Sequence, residues 1–184
     1  TAVNAVLAEA RSGIDVTLAF TASETGTDAL RPTLDLMRAE GVTVLIFPRV
    51  ADTGWACAWG ISFPIFRWLA RNVRRFDVLN IQYVWSATTL VASVSAKLSG
   101  VPAILTAHES LTSYDIDFTS GSQVKRRAKL MLRAIILRCV TIVAFNSELE
   151  RSDSDVPTDA ETTVIAHAVV EAIEPKGRDG TEGD

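Results

Sequence analysis

The stretch LSGVPAILTAHESL, residues 98–111, runs from the end of a helical pattern through a glycine and an apolar segment to a histidine and a carboxylate. Gly100 stands where a left-handed residue commonly ends a helix. Residues 102–107 lack regular polar alternation, which is typical of a strand covered on both faces. His108 and Glu109 follow directly. A buried strand that ends in such side chains is typical of an open parallel sheet, where ligands bind beyond the carboxyl ends of the strands.

The same unit recurs along the chain, since Gly13 and Gly41 also separate a helical pattern from a strand. Runs rich in Val, Ile, Leu and Thr predict strands at residues 14–20, 42–47, 76–82, 102–107, 140–145 and 162–166. Helical patterns lie at residues 2–12, 27–40, about 60–75, 86–99, 122–138 and 147–153. Strands and helices that alternate in this way are joined by right-handed crossovers. The sequence therefore predicts an α/β fold with a mainly parallel sheet and helices on both faces.

Length and composition indicate one well-buried domain, because the chain has 184 residues of which 48% are hydrophobic. The longest uncharged apolar run, at residues 55–66, is about half the length that a membrane-spanning helix needs. Cys57 and Cys139 are too few for a disulfide framework, which favours buried thiols in a reducing, cytoplasmic setting. The stretch 171–184 is acidic and rich in Gly, and it predicts a disordered tail or a truncated interdomain linker after a domain at 1–170.

Several classes of function are poorly supported. The isoelectric point of about 5.2 argues against nucleic-acid binding, which needs a dominant basic surface. The chain contains no P-loop, complete GxGxxG, CxxC, HExxH or nucleophile elbow. Two histidines and two cysteines spread along the chain do not make a zinc site. We therefore expect neither a metal nor a cofactor.

Two helical patterns carry cations on one face and apolar residues on the opposite face. The first sets Arg67, Arg71 and Arg74 against Ile65, Leu69 and Val73, and the second sets Arg126, Lys129 and Arg133 against Val124, Met131 and Ile135. In both cases we expect the apolar face to cover the sheet. The cationic faces are then either solvated surfaces or sites of peripheral contact with anionic lipid headgroups.

Polar and aromatic side chains follow the predicted strands at one edge of the sheet. His108 either caps the sheet edge by a hydrogen bond or takes part in chemistry. Gln82 can offer hydrogen bonds, and Trp85 is either a stacking surface or part of the core. Asn146, Ser147 and Glu148 read as a helix N-cap with an acid in the first turn, and a binding role would be additional.

From residue 1 to about 170, the order of the segments resembles that of the N-terminal, acceptor-binding domain of GT-B fold, family 4 glycosyltransferases. The segments that carry the resemblance are GIDVTLAF, EGVTVLIF, FDVLNIQYVWS, LSGVPAILTAHESL, CVTIVAFNSELE and TTVIAHAV. The resemblance implies a Rossmann-like domain whose first, central strand precedes Thr1, so that the chain would be a fragment. It also implies that a second domain, beyond these residues, binds most of the nucleotide-sugar donor.

The resemblance further implies a function. His108 would be the catalytic residue beside the donor sugar. Glu109, in the place of a residue that is usually small, would either join Ser110 in binding substrate or be a solvated loop carboxylate. Gln82, Trp85, Asn146, Ser147 and Glu148 would be further substrate contacts. The chain would be the acceptor-binding half of a retaining, hexosyl-type transferase, inactive alone, that passes a sugar to a glycan or lipid-linked acceptor. The alternative is a non-catalytic α/β binding or interaction domain.

Overall fold

The computed structural model describes residues 2–154, 156 and 161–165. The predicted tail at 171–184 and the domain boundary near residue 170 lie outside the described residues. The helices are α1 (Ala2–Arg11), α2 (Glu24–Ala39), α3 (Gly54–Ala58), α4 (Phe63–Asn72, followed by a 3-10 turn at Val73–Arg75), α5 (Ala87–Ser99), α6 (Ser113–Thr119), α7 (Gln123–Cys139) and α8 (Glu148–Asp153). The strands are β1 (Thr17–Ala22), β2 (Thr43–Pro48), β3 (Leu79–Gln82), β4 (Ala103–Thr106), β5 (Ile142–Phe145) and β6 (Glu161–Val164).

The strands form two parallel sheets. In the first, β1 pairs with β2 so that Thr17 lies opposite Thr43. The second sheet has the order β3-β4-β5-β6. Every pairing between these strands is parallel, which confirms the predicted α/β fold with a parallel sheet.

Helices cover both faces of the first sheet because its side chains alternate between two cores. Leu18 and Val44 pack with α1 and α2 around a small cluster that includes Met37. Ala19 and Phe47, on the opposite face, pack against a larger core built from α4, α5, α7 and the second sheet. The predicted placement of helices on both faces is therefore confirmed.

The loop Trp59–Ser62 holds the two sheets together. On one side, the Ser62 hydroxyl donates to the carbonyl of Pro48 at 2.6 Å, at the end of β2. On the other side, the Ala87 amide donates to the carbonyl of Trp59 at 2.8 Å, just after β3. Hydrogen bonds from one loop thus reach the end of β2 in the first sheet and the start of α5, the helix that follows β3 of the second sheet.

Gly60 lies at the centre of this loop with a φ of +59°. A Cβ atom at Gly60 would be 3.8 Å from Thr21 Oγ1, in β1, and 3.9 Å from Ser86 Cβ, at the N-cap of α5. The loop therefore lies between the ends of the two sheets. Within the described residues β1 and β3 are not paired with each other, and a further strand before Thr1 stays a prediction.

The two helices that were predicted to be amphipathic differ in whether their predicted orientation is confirmed. In α4, the predicted orientation is confirmed, because Ile65 and Leu69 are buried and Arg67 and Arg71 are exposed. In α7, the predicted orientation is wrong. Val124, Met131 and Ile135 are exposed, whereas Arg126, Lys129 and Arg133 are partly buried.

The orientation is reversed because α7 has a second apolar face, which is the buried one, while two of its cations lie against the short helix α6. Its Asp117 pairs with Arg126 at 2.6 Å and its Asp115 pairs with Lys129 at 3.4 Å, so two cations of α7 turn toward carboxylates. Leu132, Ile136 and Leu137 supply the buried face instead. The apolar stripe of α7 is therefore left at the surface.

Two helices were not predicted, α3 and α6. The signal for α6 lies in the sequence TSYD, where the Thr112 hydroxyl accepts a hydrogen bond from the Asp115 amide at 3.3 Å, as a helix N-cap does.

Cys57 and Cys139 are free thiols, and both are half-buried rather than buried. Among the described helices, none combines the length and apolar character needed to cross a membrane.

Candidate functional site

Three residues with left-handed backbone mark the ends of neighbouring strands. Tyr83 follows β3 with a φ of 75°, and His108 and Glu109 follow β4 with φ of 49° and 63°. In the part of the chain that the structure describes, no other residue except glycine has a positive φ. Such conformations cost about 1–3 kcal/mol each and cluster at functional sites, where the surrounding structure imposes them. The strained backbone thus singles out the edge where the sequence predicts the site.

Gln82 and His108 are brought together, as predicted. His108 Nε2 donates to Gln82 Oε1 at 2.6 Å, because a carboxamide oxygen can only accept. The amide nitrogen of Gln82 donates in turn to Asn80 Oδ1 at 2.7 Å and to Thr106 Oγ1 at 3.4 Å. The orientation of the Gln82 carboxamide therefore keeps its oxygen toward the imidazole.

The chain of hydrogen bonds continues to α1, where Asn80 Nδ2 donates to Glu9 Oε1 at 3.2 Å. Every donor from His108 through Gln82 and Asn80 points toward the Glu9 carboxylate. Bonds aligned in one direction polarise one another. This chain fixes the tautomer with the proton on Nε2 of His108, and it anchors the imidazole to a second element of the fold.

Glu150 ties together the loops after β4 and β5, and sequence reasoning missed it. Its buried carboxylate accepts hydrogen bonds from the backbone N–H of Glu109 at 2.5 Å and of Asn146 at 2.7 Å. The predicted Glu148 instead has a side chain that is 70% exposed and pairs with Arg151. The available signal was the spacing Ser147 to Glu150, since the Ser147 hydroxyl accepts from the Glu150 amide at 3.1 Å.

The remaining predicted residues of these loops make structural contacts. Ser147 is the N-cap of α8, and Asn146 is held through its backbone N–H. Ser110 is buried, and its hydroxyl donates to the carbonyl of His108 at 3.4 Å. A substrate contact by Asn146, Ser147 or Ser110 stays a prediction.

Trp85 lies in the packed interior behind the strand ends. Its side chain is buried, and its indole Nε1 donates to Asp115 Oδ2 at 2.7 Å. Lys129 Nζ lies 4.7 Å from the centre of the ring and 3.4 Å from the same carboxylate. Of the two interpretations of Trp85, this geometry favours the core residue over the stacking surface.

Tyr83 is an accessible aromatic side chain at this edge, and sequence reasoning missed it. It is 48% exposed and lies next to Gln82. Partial burial, and to a lesser degree the negative charge of Asp115, raises the pKa of the Tyr83 hydroxyl above its ordinary value. The phenol is therefore neutral at physiological pH and can donate a hydrogen bond to a ligand oxygen.

A cavity of about 450 Å³ opens at the carboxyl ends of β1 and β2. Hydroxyl groups, a carboxylate, a guanidinium group and apolar side chains line it together: Ala22, Ser23, Thr27, Ile46, Pro48, Arg49 and Asp52. Arg49 is fixed there, because its Nη2 donates to the carbonyl of Thr21 at 3.2 Å. The volume and mixed lining of the cavity suit a small polar ligand. The described residues include no group of three or more His, Cys, Asp or Glu side chains placed to hold a metal ion.

Comparison with known proteins agrees with this architecture. The sequence profile of the glycosyl transferase 4-like domain matches residues 2–165. Among solved structures, the chain is similar to Anabaena Alr3699/HepE in complex with UDP, with 13% identity, a TM-score of 0.50, and coverage of 83% of this chain and 44% of that chain. A nucleoside kinase of Burkholderia thailandensis in complex with inosine has 15% identity and a TM-score of 0.42, covering 85% of this chain and 52% of the kinase. No curated protein matches the chain.

These findings confirm the predicted resemblance to family 4 glycosyltransferases. At 13% identity the likeness to HepE shows a shared fold alone, and that fold is the predicted Rossmann-like domain of GT-B glycosyltransferases. The chain spans less than half the length of HepE.

Replacing Glu150 by Gln should lower the free energy of unfolding by about 1–3 kcal/mol, because an amide has one oxygen for two backbone N–H groups and leaves one of them unsatisfied. Glu148→Gln is the matched control, since Glu148 is exposed, and it should change the stability by less than about 0.5 kcal/mol. Urea unfolding of both variants checks this, and equal effects would contradict the bridging role of Glu150.

The raised pKa of Tyr83 can be measured directly, because the chain has two tyrosines and Tyr114→Phe leaves Tyr83 alone. In that background the ultraviolet absorbance of the phenolate should titrate above the midpoint of a free tyrosine amide, and Asp115→Asn should lower the midpoint. Since folding favours the neutral phenol, this contribution to stability is present below pH about 10 and is lost as the pH rises further. A midpoint at or below that of the free amide would contradict the assignment.

Proposed function

Because the chain belongs to the family of glycosyl transferase 4-like domains, we propose that it is the acceptor-binding half of a retaining glycosyltransferase. The reaction breaks the bond between the anomeric carbon and the phosphate oxygen of a nucleotide sugar. A new bond forms between that carbon and the hydroxyl oxygen of a glycan or lipid-linked acceptor, on the same face of the sugar. The hydroxyl proton leaves with the nucleotide phosphate or passes to solvent.

The observation that carries this proposal is the strained edge formed by Tyr83, His108 and Glu109. The left-handed residues follow two adjacent strands, and their side chains are a phenol, an imidazole and a carboxylate. These three groups can donate to, or accept from, the hydroxyl groups of a sugar. An edge built only for stability would gain nothing from three strained residues.

His108 is proposed to hold a hydroxyl group of the donor sugar near the reacting carbon. Its ring is oriented by Gln82 and, through Asn80, by Glu9. A hydrogen-bonding group whose position is fixed before the substrate arrives lowers the entropy cost of reaching the reactive geometry. The charge on the departing phosphate is proposed to be stabilised mainly by groups of a donor-binding half, by oriented dipoles and cations.

The acceptor is proposed to lie across the space that separates two parts of the site. Tyr83 and Glu109 are on one side of this space, and the cavity at the ends of β1 and β2 is on the other. The neutral Tyr83 hydroxyl can donate to an acceptor oxygen, and the Glu109 carboxylate can accept from an acceptor hydroxyl. Ser23, Arg49 and Asp52 offer further polar contacts in the cavity. Its volume of about 450 Å³ supports a site for one or two sugar units.

A nucleotide sugar is the proposed donor, and no metal or cofactor is required. HepE is described in complex with UDP, which supports a nucleotide-linked donor for this chain. Since the chain spans 44% of the length of HepE, we assign most donor contacts to a second domain outside these 184 residues. On this proposal the chain alone turns over no donor.

A non-catalytic binding domain is the alternative function. One observation favours it, because Glu109 occupies a left-handed position that small residues usually fill in the resembled family. The reading frame around these codons separates the two possibilities. A second α/β domain in the same frame supports the transferase, and a stop codon directly after Asp184 supports the binding domain.

The kinetic test replaces His108 by Ala in the protein that contains both halves. Loss of one well-oriented hydrogen bond, about 1.5–3 kcal/mol, should lower kcat more than tenfold without changing the melting temperature. Glu109→Ala should instead raise the KM for the acceptor more than it lowers kcat, because the carboxylate binds ground state and transition state alike. Ser152→Ala, at an exposed residue of α8, is the control and should change neither.

The opposite pattern would contradict the proposal. If His108 only caps the sheet edge, His108→Ala lowers the melting temperature and leaves turnover per folded molecule unchanged. Measuring both quantities on the same preparations distinguishes a catalytic from a structural histidine.

A further inference from the structure

The charged side chains of three neighbouring helices are all cationic. α4 packs against α5, and α5 packs against α7, so that the three form one layer over the larger core. Together with the turn Val73–Arg75 they contain no Asp or Glu, although they hold more than half of the 18 Lys and Arg residues of the chain. All 22 Asp and Glu residues lie elsewhere, and the net charge of the chain is −4. An acidic protein thus has one cationic layer of helices.

The same layer exposes apolar side chains. On α7, Val124 is 78% and Met131 65% exposed, and Ile135 is exposed one turn further along. Residues at this spacing lie on one side of a helix. The exposed cations of α7 are Lys125, Arg127 and Arg138. Phe63 on α4 and Leu98 on α5 are exposed as well.

We propose that the outer face of α4, α5 and α7 docks on an anionic lipid bilayer. In this arrangement α7 lies parallel to the membrane, with Val124, Met131 and Ile135 at the boundary between headgroups and acyl chains. Its lysines and arginines extend their charged ends toward lipid phosphates, as long cationic side chains do at interfaces. Interfacial binding of a helix gains from the burial of its apolar residues and from the attraction of nearby cations to anionic lipids.

The position of the remaining cations of α7 agrees with this orientation. Arg126 and Lys129 point toward Asp117 and Asp115 of α6, on a different side of the helix from Met131. Their charges are compensated there, whereas Arg127 and Arg138 remain at the surface beside the apolar stripe. The ion pairs with α6 and the apolar stripe thus lie on different sides of α7.

The apolar stripe favours a bilayer over a polyanion. A nucleic acid or heparin would pair with the cations, and it would gain nothing from burying Val124 and Met131, because phosphate and sulfate groups are hydrated. A bilayer takes up both kinds of side chain. Each Lys or Arg beside an anionic surface strengthens partitioning by about fivefold, and each apolar side chain that leaves water adds to this.

Sedimentation with lipid vesicles tests the proposal on the 184-residue chain. Binding to phosphatidylcholine vesicles that contain phosphatidylglycerol should exceed binding to pure phosphatidylcholine vesicles by about tenfold or more. High salt should weaken this binding because it screens the surface charge. The double variant Val124→Glu/Met131→Glu should bind at least about tenfold more weakly. Arg127→Glu/Arg138→Glu should weaken binding by a similar factor.

Matched controls place the same changes outside the layer. Leu36→Glu/Leu149→Glu alters two exposed leucines of α2 and α8, and Arg31→Glu/Arg151→Glu alters two exposed cations of the same helices. Both should bind vesicles like the original chain, and circular dichroism should show every variant folded. Equal binding to neutral and anionic vesicles, or equal loss in variants and controls, would overturn the proposal. Binding to heparin without binding to vesicles, unaffected by Val124→Glu/Met131→Glu, would identify a polyanion surface and overturn it too.

Discussion

The loop Trp59–Ser62 is the constraint on which the rest of the structure depends. β1 and β2 share no strand pairing with the second sheet among the described residues, so side-chain packing and this loop fix the relative position of the two sheets. Its hydrogen bonds reach the end of β2 through Ser62 and the start of α5 through Trp59. Together with the packing of Ala19 and Phe47 against the larger core, these bonds fix the position of the cavity at the ends of β1 and β2 relative to the edge at Tyr83 and His108.

The strained edge depends on a second set of contacts within the larger sheet. The Glu150 carboxylate holds the backbone after β4 and β5, and the chain from Gln82 to Glu9 orients the imidazole of His108. Left-handed residues persist only where neighbouring contacts impose them. The buried carboxylate and the hydrogen-bond chain supply that restraint, and the side chains of Tyr83 and Glu109 remain accessible to solvent.

The sequence was informative where local chemistry decides the outcome. Gly13, Gly41 and Gly100 end helices in left-handed conformations, and His108 meets Gln82 because neighbouring parallel strands end at one edge. Sequence reasoning was wrong where contacts between residues far apart in the chain determine the position of a side chain. The spacing from Ser147 marks Glu150 as a capping residue, but the bond from its carboxylate to the Glu109 amide joins residues 41 positions apart and cannot be inferred from that local pattern. In α7, cations and apolar residues occupy most positions, so periodicity allowed two orientations, and burial of the second apolar face together with the ion pairs to α6 selected one.

The most direct test of the strained edge compares Glu109→Gly with Glu109→Ala by urea unfolding. Both variants remove the carboxylate, and they differ in whether residue 109 carries a Cβ atom in the left-handed conformation. If the fold imposes φ of 63° at this position, the glycine variant should be more stable than the alanine variant by about 1 kcal/mol. An alanine variant of equal or greater stability would contradict the account, because glycine would then bring only its larger loss of chain entropy.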